Sequence, residues 1–178
     1  MNNQKTIILI GDSITEGFNV RQLLKERNIL NYGVSGDSTV ECLERISDHW
    51  FGRRPERVYI CIGTNDLVRD RTDQEILGNI RSIVDHVRRS SPGSSVELTS
   101  LFPTRENPPR PNDRIRGFNA GLKQLSVELQ TGYFDLHHHF ADERGDLKKE
   151  FTEDGLHLTE AAYERWAEIL RAEMKPGT

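Results

Sequence analysis

The chain has 178 residues, enough for one domain that buries roughly two thirds of its unfolded surface around a single core. With 24 Lys and Arg against 28 Asp and Glu, its formal net charge of -4 gives no electrostatic basis for a nucleic-acid partner, and no apolar stretch reaches the length of a membrane span. Its 2 cysteines allow at most one bridge, and Cys61 sits within Val58-Tyr59-Ile60-Cys61-Ile62, the setting of a buried thiol, so a reducing cytoplasm is the expected location.

In chain order, the polar start Met1 to Lys5 runs straight into Thr6 to Ile10, an apolar strand pattern too short for a signal-peptide core. Gly11-Asp12-Ser13 follows, and Ser13 with Glu16 has the spacing of a capping box that opens a helix. Ile29 to Val34 reads as a second strand and leads into Ser35-Gly36-Asp37. Ser38 and Glu41 form another capping-box pair before Val40, Leu43, Ile46 and Trp50, which share one helical face. Arg57 to Ile62 is a third strand, ending at Gly63-Thr64-Asn65-Asp66. Ile76, Ile80, Ile83, Val84 and Val87 mark the next helix, Val96 to Phe102 the fourth strand, and Ile115, Phe118, Leu122, Leu125 and Leu129 another helix. Tyr133 to Leu136 is the fifth strand. Asp154-Gly155-Leu156-His157 then precedes a last helix carrying Tyr163, Trp166, Ala167 and Leu170.

Short strands alternating with helices predict a three-layer α/β/α fold with about five parallel strands, flavodoxin-like, over residues 1–178 as one domain. In such sheets ligands bind beyond the carboxyl ends of the strands. Ser13, Gly36 and Asn65 each follow a strand, so topology gathers them on one rim, and the loop at Asp154 can return to it. The spacing of Asp154 and His157 places both on one side of a helical turn.

Each motif alone has a plain structural reading. Ser13 can be a helix cap, Gly36 a turn needing positive φ, Asn65 a turn residue, and His157 a packed imidazole. Their joint occurrence in order is what points to chemistry: Ser13 as nucleophile, His157 as its base, Asp154 to orient that base, and oxyanion donors from the Ser13 and Gly36 backbone and the Asn65 amide. This mechanism needs neither cofactor nor metal. The run His137-His138-His139 lacks the ligand spacing of a zinc site.

These four blocks resemble those of the SGNH/GDSL hydrolase superfamily, carried here by Ser13, Gly36, Asn65 and His157 and spanning Ile7 to Leu170. The strongest piece is Thr152 to Thr159 followed by Tyr163. Ile14 stands where the family's usual motif has Leu, and the stretch from Glu16 to Asn31 is short for the usual first helix and approach loop. The resemblance implies a serine esterase acting on small or accessible esters, with carbohydrate deacetylation as one reading and short-chain lipid or thioester hydrolysis as the alternative. A catalytically silent binding domain on the same scaffold is the non-enzyme alternative. The Pro-rich segment Pro103 to Arg116 lies at the expected rim, and its Arg105, Arg110 and Arg114 are candidates to meet an anionic part of the substrate. The expected partner is a small-molecule ester, and the oligomeric state is open, with a homodimer compatible.

Overall fold

The computed structural model describes residues 5–25 and 27–174, so the polar start at Met1 to Gln4 lies outside the described residues. Five strands, β1 (Thr6–Gly11), β2 (Asn28–Gly33), β3 (Arg57–Cys61), β4 (Ser95–Thr99) and β5 (Gly132–Phe134), form one sheet in the order β2-β1-β3-β4-β5. All four pairings are parallel. The chain leaves β1 toward β2 and returns to lay β3 on its other side, so the strand order switches direction between β1 and β3, the place beyond the strand ends where open parallel sheets bind their ligands.

The period-2 pattern of β1 divides the core. Ile8 and Ile10 face α3 (Thr39–Arg45), α4 (Asp73–Ser90) and α5 (Asn112–Leu129), in a cluster with Cys42, Ile76, Ile80, Ile83, Ile115 and Phe118. Ile7 and Leu9 face the opposite way, against Ile14 of α1 (Ser13–Glu16), Leu24 beyond α2 (Val20–Leu23), Phe140 of α6 (His137–Phe140) and Trp166 of α7 (Glu160–Glu173). Helices therefore cover both faces, which is why β1 and β3 read as nearly continuous apolar runs.

Three local expectations are corrected. The helix expected through Trp50 ends at Arg45: Ile46 turns extended, and Ser47 caps a separate 3₁₀ turn at Asp48–Phe51. The reason is tertiary, because the Trp50 ring stacks on Tyr32 at 4.3 Å and lies under the Arg45 guanidinium. The helix after β1 is capped by Asp12, whose Oδ1 accepts from the Ile14 N–H at 2.9 Å, so Ser13 is the first helical residue and its hydroxyl is not used as the cap. Asp154 and His157 lie in an irregular loop, not a helical turn.

Candidate active site

Ser13 sits where β1 passes into α1. The short helix is held from two sides: the Tyr163 hydroxyl donates to the Ile14 carbonyl at 2.9 Å, and the Asn31 amide donates to the Thr15 and Phe18 carbonyls at 2.6 and 3.0 Å. Asp12, beside Ser13, is 2% exposed. Burial pushes its carboxyl up to about 7, against the opposing pull of the Ile14 N–H and of the His157 and Arg110 charges.

The loop that carries His157 is closed by an antiparallel bridge between Thr152 and Leu158. Inside it, Asp154 Oδ1 accepts from the N–H groups of Leu156 and His157 at 2.9 and 2.7 Å, an Asx turn that brings the His157 ring round to the same carboxylate. His157 Nδ1 then lies 2.6 Å from Asp154 Oδ2, and Nε2 lies 3.2 Å from Ser13 Oγ. With the carboxylate as acceptor, the network assigns the proton to Nδ1 and leaves the Nε2 lone pair facing the serine. Burial raises the Asp154 carboxyl, but the His157 ring and the two amides outweigh it and hold the group down at about 2. Gly155 closes the turn with φ of +83°. Its carbonyl accepts from the Arg105 N–H at 2.8 Å, which pins this loop to the segment after β4.

Gly36 takes φ of +82°, the left-handed conformation expected of it. Among the described residues, neither its N–H nor that of Ser13 takes part in a backbone hydrogen bond. Asn65 precedes the 3₁₀ turn Asp66–Val68 without capping it through its side chain. Instead its Nδ2 donates to the Asp37 carbonyl at 2.8 Å, and its Oδ1 accepts from Arg110 Nη2 at 3.2 Å. Ser13, Asp154 and His157 are thus brought together in one hydrogen-bonded chain, and Asn65 is tied to the Gly36-Asp37 segment.

Two partly buried ion pairs, invisible as pairs in the sequence, join these segments. The Asp37 carboxylate pairs with Arg45, whose Nη2 also donates to the Gly11 and Tyr32 carbonyls at 3.2 and 2.7 Å, fastening the ends of β1 and β2 to the Gly36 turn. Fully buried Asp66 accepts from the Thr39 N–H and hydroxyl at 2.9 and 2.6 Å and from Arg71 at 3.0 Å, fastening the Asn65 turn to the start of α3. The sequence signal for both was an acid directly following Gly36 or Asn65.

Of the arginines on the Pro-rich segment, Arg105 pairs with Asp142 and donates to the Leu147 carbonyl at 2.6 Å. Arg114 donates to the Leu67 and Arg71 carbonyls at 2.6 and 2.8 Å. Arg110 alone of the three reaches Asn65. His137, His138 and His139 form α6, and no group of three or more metal-ligating side chains is assembled among the described residues. None of the described helices is long and apolar enough to cross a membrane.

Comparison with known proteins gives the family and the fold. The model of the GDSL-like lipase/acylhydrolase family matches residues 9–165. The platelet-activating factor acetylhydrolase IB subunit alpha1 of Rattus norvegicus is 26% identical over 168 residues, covering 91% of this chain and 72% of its own. A solved structure from Streptococcus pneumonia, provisionally described as a platelet activating factor, superposes with a TM-score of 0.90 at 31% identity, over 96% of this chain and 84% of that one. A catalytic mutant of Axe2, an acetylxylan esterase from Geobacillus stearothermophilus, has a TM-score of 0.76 at 18% identity, over 99% and 98% of the two chains, a likeness of fold alone.

Proposed function

Because the chain belongs to the GDSL-like lipase/acylhydrolase family, and is therefore an ester-bond hydrolase, we propose that it removes small acyl groups, acetyl foremost, from accessible esters through Ser13, His157 and Asp154. The observation that carries this reading is the unbroken chain from Ser13 Oγ through His157 to Asp154, at 3.2 and 2.6 Å.

Ser13 Oγ attacks the acyl carbonyl while His157 Nε2 takes its proton, and ionised Asp154 stabilises the imidazolium through Nδ1–H. Negative charge on the former carbonyl oxygen is accepted by the N–H groups of Ser13 and Gly36 and by the free N–H of the Asn65 amide; one such donor is worth roughly 3–4 kcal/mol in the transition state. Nε2–H then protonates the leaving alkoxide as the carbon–oxygen bond breaks. Water, deprotonated by the same nitrogen, attacks the acyl-enzyme, and collapse returns the proton to Ser13 and releases the acid.

Acetyl is favoured as the acyl group because the rat relative is named an acetylhydrolase, and half-exposed His157 and Asp154 leave room for a bulky alcohol portion outside the cleft. That name also supports the second reading, a short-chain lipid ester; a sugar acetate is the competing alcohol class. A cytoplasmic location is supported by two free, buried thiols, Cys42 being pushed up to about 12 by burial. Hydrolysis of para-nitrophenyl esters of increasing chain length, beside acetylated sugars and a short-chain phospholipid, tests the proposal. Highest kcat/KM on acetate, abolished by Ser13→Ala, is expected. Preference for long acyl chains would refute the acetyl assignment, and full activity of Ser13→Ala would refute the nucleophile.

A further inference from the structure

We propose that Arg110 is a positioning residue of this site: its guanidinium fixes the orientation of the Asn65 amide and polarises it toward the developing oxyanion. The inference rests on the reading of Asn65 as an oxyanion donor and concerns a residue that the nucleophile–base–acid chemistry does not use.

The orientation of an amide is set by what its two ends meet. Asn65 Oδ1 accepts from Arg110 Nη2 at 3.2 Å, and Nδ2 donates to the Asp37 carbonyl at 2.8 Å. Exchanging oxygen and nitrogen would set carbonyl against carbonyl at one end and N–H against guanidinium at the other, so both contacts enforce one orientation. Of the two N–H bonds on Nδ2, one is used by Asp37 and the other is left for an oxyanion.

Arg110 is itself held rigidly. Its Nε donates to the Thr64 carbonyl at 3.1 Å, so the guanidinium grips two successive residues of the third motif. Its backbone N–H donates to the Asn107 carbonyl at 2.9 Å, its carbonyl accepts from the Thr104 hydroxyl at 2.7 Å, and Pro108, Pro109 and Pro111 stiffen the chain around it.

The charge matters as well as the geometry. Arg105 and Arg114 have carboxylate partners, whereas Arg110 has none in hydrogen-bond contact among the described residues. The Asp12 carboxyl acts on its positive charge without forming a salt bridge with it, and half-burial weakens the screening by water. A charge-assisted hydrogen bond to the carbonyl end of an amide draws density from nitrogen and makes its N–H a stronger donor. Stabilisation of this kind grows as charge develops on the substrate oxygen, so it appears in kcat.

A double-mutant cycle on para-nitrophenyl acetate, a neutral substrate with no anion for an arginine to bind, tests the proposal. Arg110→Met should lower kcat by roughly 10- to 100-fold while KM and melting temperature stay near wild type, and Arg110→Lys should fall between the two. Asn65→Ala should lower kcat by about 100-fold or more. In the Asn65→Ala background, Arg110→Met should then cost less than about twofold, because the arginine acts through the amide it no longer meets. Wild-type kcat in Arg110→Met, a rise in KM alone, or an undiminished loss in the Asn65→Ala background would overturn the inference. Wild-type kcat in Asn65→Ala would instead remove the oxyanion reading on which it rests. If Arg110→Met does not fold, the same cycle with Arg110→Lys decides on the same criteria.

Discussion

Gly155 lies between Asp154 and His157, and a methyl group there probes how tightly the proposed base, His157, is held. A Cβ at this position would stand 1.9 Å from the Arg105 carbonyl oxygen. An ordinary carbon–oxygen approach is about 3.3 Å, so the loop and the segment after β4 must part by roughly 1.4 Å. Neither side yields easily, since the Arg105 N–H is bonded to the Gly155 carbonyl and the Arg105 guanidinium to Asp142. The φ of +83° adds a penalty of about 1–2 kcal/mol for any residue with a Cβ. His157 Nε2 is 3.2 Å from Ser13 Oγ, and misplacement of a catalytic group by 1 Å costs on the order of 100-fold in rate. Gly155→Ala should therefore lower kcat on para-nitrophenyl acetate by about 100-fold and the melting temperature by roughly 2–8 °C. Gly93→Ala, where a Cβ meets nothing within 4 Å, serves as the control and should change neither. A Gly155→Ala enzyme with wild-type kcat and melting temperature would show that the contact with Arg105 does not position the base.

Asp154→Asn keeps an oxygen for the Leu156 and His157 amides but no longer fixes the ring tautomer, so kcat should drop by about 10³–10⁴-fold with the fold retained; a loss under tenfold in steady-state assays would contradict the orienting role. Because the Asp154 carboxyl is held at about 2, below its ordinary 3.8, its contribution to stability is present above pH 3.8 and is lost as pH falls toward 2; acid unfolding of wild type against Asp154→Asn should converge in that window. Asp12 has the opposite sign. Its carboxyl is raised from 3.8 to about 7, so the folded protein keeps a proton that the unfolded chain has lost, and this group makes stability fall as pH rises between those values. Asp12→Asn should gain on wild type across that window by up to roughly 4 kcal/mol and run parallel above it, as read by urea unfolding at several pH values; parallel curves throughout would refute the burial argument.

The sheet was legible because β1 and β3 are buried on both faces and carry no alternation to confuse them with amphipathic segments. The rim followed from topology, since Ser13, Gly36 and Asn65 each stand just past a strand. What periodicity could not reveal was where partners outside an element override it. Trp50 keeps a helical spacing from Val40 yet leaves the helix to stack on Tyr32. Asp12 caps α1 in place of Ser13 because an extended residue with a short carboxylate serves the Ile14 N–H, which leaves the serine hydroxyl for His157. Arg105, Arg110 and Arg114 look alike in the sequence, and their different roles depend on contacts 37 to 47 residues away. The spacing of Asp154 and His157 correctly suggested that they meet, although an Asx turn within a bridged loop, not a helix, joins them.

The most direct test of the central claim is the site of covalent capture by a fluorophosphonate. The reagent phosphonylates only a serine whose proton is removed as the bond forms and whose oxyanion is received by donors. Incubation followed by intact-mass and peptide mass spectrometry should show one adduct per chain, on Ser13, matched by loss of esterase activity and absent from Ser13→Ala. An adduct on another residue of the active enzyme, or full activity after complete modification of Ser13, would contradict the account.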